Sequence, residues 1–382
     1  MEFIGYGKQW IDENDIAAVV KTLQSDYLTQ GPAIEEFERK LCALTGAKYC
    51  VAVANGTAAL HLSVSALELE AGTEGITTPN TFVATSNSLL YNNLIPVFAD
   101  IDERTYTIDP AEIEKHITSR TKVIIPVHFA GQPAEMMQIK SIAEKNNLYV
   151  IEDAAHAIGS RYENDSPVGN CQYSDMTVFS FHPVKTMTTG EGGAITTNNR
   201  ELYNKLLSLR NHGNTKDPEH LENNPGPWYY EMHMLGFNYR LTDIQAALGI
   251  SQLQKLEKFI ERRREIVKRY DEAFQAIDWI TTPFERKNVF SAFHLYVLQI
   301  DFNKIGTTRK DVMEELKEKN IGTQVHYIPV HTQPYYRTHF DYQRGDYPKA
   351  EKYYEKTLSI PLYPKMTDEE VEYVIENITR LS

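Results

Sequence analysis

The sequence predicts an α/β protein: a large, mainly parallel sheet covered by helices, then a small α+β unit. Short apolar runs alternate with helix-length segments from about residue 49 to residue 209, with short links, as in parallel sheets with crossover helices. Several of these runs end on polar or small residues, at the carboxyl rim where such sheets bind ligands. From about Ile277 the alternation stops, and a helix-rich segment with a few strands follows. The expected division is 1–250 for the large unit with its N-terminal segment and 251–382 for the small one, joined by a long helix.

Asp12 to Leu23 has apolar residues at helical spacing behind an acidic first turn, and Ala33 to Leu44 is a second helix after the loop Tyr27–Pro32. Tyr49 to Ala54 is a buried strand leading through Asn55-Gly56-Thr57 into a helix over Ala58–Leu67. Strand, proline loop and helix recur over Gly75–Tyr91. Ile95–Ala99 is a strand, Pro110–Ile117 a helix, Lys122–Pro126 a strand, Ala134–Asn146 a helix and Leu148–Ile151 a strand. Met176–Ser180 and the run ending at Thr197 bracket a glycine-bearing loop, and a helix reaches Leu209. Asn214 to Trp228 is a long polar loop, and one long helix is expected over Thr242–Phe274. Strands over Phe293–Ile300 and Gly322–Ile328 and helices over Arg309–Lys319, Pro348–Leu358 and Glu369–Leu381 complete the chain.

At 382 residues, 42% hydrophobic and 24% charged, the chain has the composition of a soluble globular protein. The net charge of −13 argues against a nucleic-acid binder, and the Glu261-Arg262-Arg263-Arg264 cluster is read as a solvated face. Cys42, Cys50 and Cys171 form neither a disulfide framework nor a metal motif; no metal is expected. Neither a signal peptide nor a membrane-length apolar stretch is evident, so the expected location is cytoplasmic.

Lys185 has no charged residue within five positions on either side and lies between two strand-like runs. Apolar surroundings strip an ammonium of hydration, lower its pKa and make the amine nucleophilic; a lysine in an ordinary hairpin loop is the other reading. Gly56 and Thr57 open a helix directly after a strand, either as a plain cap or as a phosphate cradle. Asp153 ends a strand before the small residues Ala154-Ala155, where a carboxylate needs a cation or a helix to cap. Together, a phosphate site, a ring carboxylate, an aromatic cover at Phe82 and a reactive lysine form the set that pyridoxal phosphate requires.

The motifs Thr29-Gln30-Gly31-Pro32, Asn55-Gly56-Thr57-Ala58-Ala59-Leu60, Glu152-Asp153-Ala154-Ala155-His156, Ser180-Phe181-His182-Pro183-Val184-Lys185, Gly190-Glu191-Gly192-Gly193 and Gly236-Phe237-Asn238-Tyr239-Arg240 resemble, in order and spacing, those of the DegT/DnrJ/EryC1/StrS sugar aminotransferases. The resemblance implies the aspartate-aminotransferase-like fold (fold type I), with pyridoxal 5′-phosphate bound as a Schiff base to Lys185. It puts Asp153 on the ring nitrogen, Phe82 over the ring and His156 beside the ring phenolate. Thr57, the Ala58 amide and Ser180 hold the phosphate. Asn238 is expected to reach the phosphate of a neighbouring subunit, which implies a homodimer with shared sites. His182 is expected only to pack.

The resemblance further implies L-glutamate as amino donor and a nucleotide-linked 4-keto-6-deoxy sugar as acceptor. The flanks of Lys185 and Asn238 are most similar to the pseudaminic-acid branch, which aminates a UDP-linked 2-acetamido-4-keto-6-deoxyhexose. Perosamine, bacillosamine and 4-amino-arabinose enzymes share nearly the same motifs. Tyr6, His326, Tyr327 and His331 are candidates for sugar-nucleotide contacts, or else for aromatic packing between the units. A binding module without catalysis is the reading from a different class, and the intact Lys185 and Asp153 speak against it.

Overall fold

The computed structural model describes residues 1–381. Helices α1 (Glu13–Leu23) and α2 (Pro32–Thr45) precede strand β1 (Tyr49–Val53) and helix α3 (Gly56–Ala66). Alternation continues through β2 (Glu74–Thr77), α4 (Ala84–Tyr91), β3 (Ile95–Phe98), α5 (Pro110–His116), β4 (Thr121–Ile125), α6 (Met136–Asn146) and β5 (Tyr149–Asp153). Then come β6 (Met176–Ser180), β7 (Gly193–Thr197), α7 (Arg200–Arg210), β8 (Asn214–Thr215), β9 (Glu231–Met232), α8 (Asp243–Leu253) and α9 (Leu256–Phe274). The remainder holds β10 (Ile280–Thr281), β11 (Tyr296–Ile300), α10 (Arg309–Glu318), α11 (Pro334–Phe340), α12 (Pro348–Lys356), β12 (Thr357–Ile360) and α13 (Asp368–Thr379).

The large sheet has seven strands in the order β1-β7-β6-β5-β4-β2-β3. Only β7 runs antiparallel to its neighbours. Its inner strands β4, β6 and β7 are buried on both faces, which is why the sequence shows continuous apolar runs there rather than alternation. Because β7 is reversed, its first residue, Gly193, pairs with the last residues of both flanking strands, Val53 and Ser180. One rim therefore gathers the ends of β1, β5 and β6. Side chains set the helix starts: Asp12 with Asp15, and Thr242 with Gln245, form reciprocal capping boxes.

A second core surrounds the sheet β10-β11-β12 and includes Ile4, Tyr296, Leu298, Val374 and Ile378. Ile4 is bound on both sides, its N–H to Asn320 O (2.8 Å) and its O to Gly322 N–H (2.7 Å). The start of the chain thus packs on the C-terminal unit, not on the large one. The expected helix over Thr242–Phe274 is broken at Gln254–Lys255, where Lys255 turns to pair with Asp12 and Asp15 of the α1 region. Helix α9 touches both cores, Leu256 and Ile260 facing the first, Ile266, Tyr270 and Phe274 the second. We place the boundary between the units within α9 rather than at residue 250, since α8 packs on α1 and α2.

Two further expectations change. Residues 322–328 form no strand; Gln324 makes an isolated bridge with Ser359. The helix expected to reach Leu358 stops at Lys356, and Thr357–Ile360 becomes β12, antiparallel to β11. The polar 214–228 loop opens with β8, which pairs with β9.

An aromatic cluster ties the C-terminal unit to the outer edge of the large sheet, with Phe98 against Tyr336, Tyr342 and Tyr347. Asp100 accepts the N–H groups of Lys349 and Ala350 at the start of α12, both at 2.9 Å. Tyr342 donates to Pro96 O (2.9 Å), and Tyr336 to Asn87 Oδ1 (2.7 Å).

Candidate active site

The strand ends open onto a cavity of about 580 Å³ lined by Thr57, Phe82, Asp153, His156, Ser180 and Lys185, and from the C-terminal side by Tyr6, His294, His326 and Tyr327. On the β1 side, α3 begins at the rim. Asn55 caps it by accepting the Ala58 N–H at 2.8 Å. The Ala58 amide, expected to face a phosphate, is therefore already used within the protein. The N–H groups of Gly56 and Thr57 precede it in the first turn and have no protein acceptor among the described residues. Gly56 lets α3 approach β6: a Cβ there would stand 2.9 Å from Ser180 Cβ. Gly193 does the same for the turn, since its Cβ would fall 2.5 Å from Asn55 O.

Asp153 is buried at the end of β5. It accepts from Thr85 Oγ1 (2.7 Å) and from the Ala155 N–H (3.1 Å). Its neighbour Glu152 points to the opposite face of the sheet. There it accepts hydrogen bonds from His128, Tyr162, Ser174 and Thr177. Burial alone would raise the Glu152 carboxyl, but these donors carry it below its ordinary value, so it stays an anion and fixes the strand end.

Lys185 follows a turn closed by its own N–H to His182 O (2.9 Å). Its ammonium has no ion-pair or hydrogen-bond partner among the described residues. Burial brings it down to about 8, with Asp153 pulling the other way. That is the state a nucleophilic amine needs. His182, expected to pack, is instead exposed at the cavity edge.

His156 accepts the Ala130 N–H on Nδ1 (3.2 Å), so its proton sits on Nε2, 3.1 Å from the Tyr327 hydroxyl. Burial, then Lys185 and His326, hold its pKa well below the usual value, leaving a neutral ring. His326 is pushed down to about 3 by burial and by Lys185, and its Nδ1 lies 2.7 Å from Ser359 Oγ. Tyr6 packs on it with ring centroids 5.5 Å apart.

One expected member, His331, is elsewhere. It is fully buried outside the cavity, with Nε2 3.0 Å from Glu351 Oε1 and its ring against Tyr347; its contacts are packing within the C-terminal unit. Asn238 is exposed, also outside this cavity, in a segment bridged to Asn211. Phe82 lines the cavity but remains 58% exposed. Sequence reading missed Thr85, which holds Asp153, and His294, hidden in what looked like an apolar strand start.

The donor set fits a phosphorylated aromatic aldehyde: free N–H groups and hydroxyls at one end, a buried carboxylate at the floor, and an unpaired amine of lowered basicity. The DegT/DnrJ/EryC1/StrS aminotransferase family model matches residues 9–379. The chain belongs to this family. It is 44% identical over 377 residues to the spore coat polysaccharide biosynthesis protein SpsC of Bacillus subtilis, covering 98% of this chain and 96% of that one. Helicobacter pylori PseC, an aminotransferase involved in the biosynthesis of pseudoaminic acid, has a similar structure, with TM-score 0.91 and 33% identity over 100% of this chain and 99% of that one. Spr1654 of Streptococcus pneumoniae, named as a sugar aminotransferase, matches with TM-score 0.91 and 32% identity over 99% of this chain and 98% of that one. It was solved in PLP and PMP forms. Pyridoxal 5′-phosphate is the cofactor of this aminotransferase. Among the described residues, no helix is long and apolar enough to cross a membrane.

Proposed function

We propose that this aminotransferase moves the amino group of L-glutamate to C4 of a nucleotide-linked 4-keto-6-deoxy sugar. The substrate we infer is UDP-2-acetamido-2,6-dideoxy-β-L-arabino-hex-4-ulose, and the product UDP-4-amino-4,6-dideoxy-N-acetyl-β-L-altrosamine. The observation that carries the choice is the end-to-end likeness to PseC, at 33% identity. The 44% identity to SpsC favours a second reading, an acceptor sugar of another surface polysaccharide with the same 4-keto chemistry.

When bound, the cofactor supplies an electron-withdrawing ring that stabilises negative charge on the substrate carbon beside the amino nitrogen. In this reading Lys185 would hold it covalently and, once released, would carry the proton between that carbon and C4′ of the cofactor. Asp153, held by Thr85, keeps the ring nitrogen protonated. The Gly56 and Thr57 N–H groups, with the Thr57 and Ser180 hydroxyls, receive the phosphate. Phe82 covers the ring and His156 stands beside its phenolate. Tyr6, His326 and Tyr327 form the wall toward the sugar. Asn238 serves the site of a second copy, so the active form is a homodimer.

The test is incubation with glutamate and a panel of UDP-, GDP- and dTDP-4-keto-6-deoxy sugars, read as 2-oxoglutarate formed. Turnover of the UDP-linked N-acetyl sugar is expected; turnover of the GDP sugars alone would overturn the substrate. Lys185→Ala is expected to lose the yellow band of the lysine-bound cofactor while keeping its fold.

A further inference from the structure

His294 has no part in the reading above, yet it is held firmly. It lies just before β11, where the chain crosses so close to Gly131 that a Cβ there would stand 2.9 Å from the Phe293 amide nitrogen and 3.1 Å from that of His294. Gly131 has φ +104°, a conformation that favours glycine. From α9, the buried Arg263 donates to the carbonyls of Phe293 (3.3 Å), His294 (3.1 Å) and Leu362 (2.8 Å). The backbone under His294 is thus fixed from two sides.

The side chain lines the cavity although it is only 4% exposed, and its ring centroid is 4.5 Å from that of His156. Its Nδ1 is sealed and has no hydrogen-bond partner among the described residues. Nε2, which is not sealed in this way, is the ring nitrogen that meets the cavity. A buried N–H without an acceptor is costly to leave, so the proton belongs on Nε2, facing inward. His156 donates its own Nε2–H to Tyr327 (3.1 Å), which leaves the Tyr327 hydroxyl hydrogen free. The wall around His156 therefore offers two neutral donors, with His326 and Lys185 as further nitrogen groups nearby. Among the described residues, no arginine lines this cavity.

Such a wall suits an anionic oxygen better than a sugar hydroxyl, which would also need acceptors. The cofactor phosphate has its own donors at the start of α3. We propose that His294, together with Tyr327, receives a carboxylate of the amino donor and so sets the preference for a dicarboxylic amino acid. This rests on the aminotransferase reading and adds the residues that choose the donor.

Glutarate, a dicarboxylate without an amino group, is titrated calorimetrically into the holoenzyme. Glutarate is expected to bind the wild type, to bind His294→Phe about 10-fold or more weakly, and to bind His294→Gln, which keeps a donor, within about 3-fold of wild type. In steady state, KM for glutamate should rise in His294→Phe while KM for the sugar nucleotide stays. Equal glutarate affinity in His294→Phe, no binding by the wild type, or a rise in the sugar-nucleotide KM alone overturns the proposal. If His294→Phe does not fold, Tyr327→Phe removes the other donor and must weaken glutarate binding likewise; unchanged glutarate affinity in that variant overturns the proposal equally. Glutamate turnover by the wild type is read in parallel, so failure here is distinguishable from failure of the aminotransferase reading.

Discussion

Lys185 reacts only as the free amine, and its ammonium titrates at about 8, below the ordinary lysine range, because of burial. Uptake of pyridoxal phosphate by the apoenzyme should therefore quicken as pH rises through about 8 and level off above it. A stopped-flow rate that keeps climbing into the ordinary lysine range would show a solvated amine instead. The same shift has a stability sign. The folded pKa lies below the unfolded one, so charging Lys185 disfavours the folded apoenzyme, fully below about 8 and progressively less as pH rises from there. Lys185→Met should thus raise the apoenzyme melting temperature at neutral pH, with the gain shrinking in alkali. On the far face of β5, Glu152→Ala would leave the donors of His128, Tyr162 and Ser174 unpaired in the interior. A loss of about 3–5 kcal/mol in denaturant titrations is expected, together with weaker cofactor binding through the displaced Asp153. The isolation of Lys185 from other charges and the strand-end position of Asp153 were legible in the sequence. The spent amide of Ala58 and the places of Thr85 and His294 were not, because each depends on a partner or orientation that only the folded chain supplies.

At the level of elements, the cradle depends on the reversed strand β7. Gly193 faces Val53 on one side and Ser180 on the other, and its Cβ would collide with the Asn55 carbonyl. Gly193→Ala should push the start of α3 away from β6 and weaken pyridoxal phosphate binding by about 10-fold or more, with circular dichroism unchanged. Retention of full affinity would mean that the turn can move at no cost to the site. Apolar runs and helical spacing made the strands and helices of the large sheet readable, because burial on both faces writes itself into composition. The break between α8 and α9 could not be read this way. Gln254-Lys255 carries no glycine or proline, and the turn is held by Lys255 reaching Asp12 and Asp15 from the other end of the unit. The short β12 was masked by the helix before it and exists because β11 offers an edge.

For the whole molecule, the α/β architecture was visible from the alternation alone, whereas the packing of Ile4 on the C-terminal unit was not. The shared-site homodimer can be tested by mixing Lys185→Ala with Asn238→Ala. If Asn238 serves the neighbouring copy, random hybrids restore one intact site per mixed dimer, and activity should recover to about a quarter of wild type. No recovery, with mixed dimers shown to form, would assign Asn238 to its own subunit. The fastening of α11 and α12 to the large sheet has a separate consequence. Swinging the two units apart would have to break the Asp100 contacts to α12, the Tyr342 and Tyr336 bonds and the packing around Phe98 together. A hinge normally runs through a few residues that few contacts cross, and here many do. Ligand entry and exit then need no opening of the body of the protein, and turnover should be insensitive to added viscogen beyond its effect on diffusion.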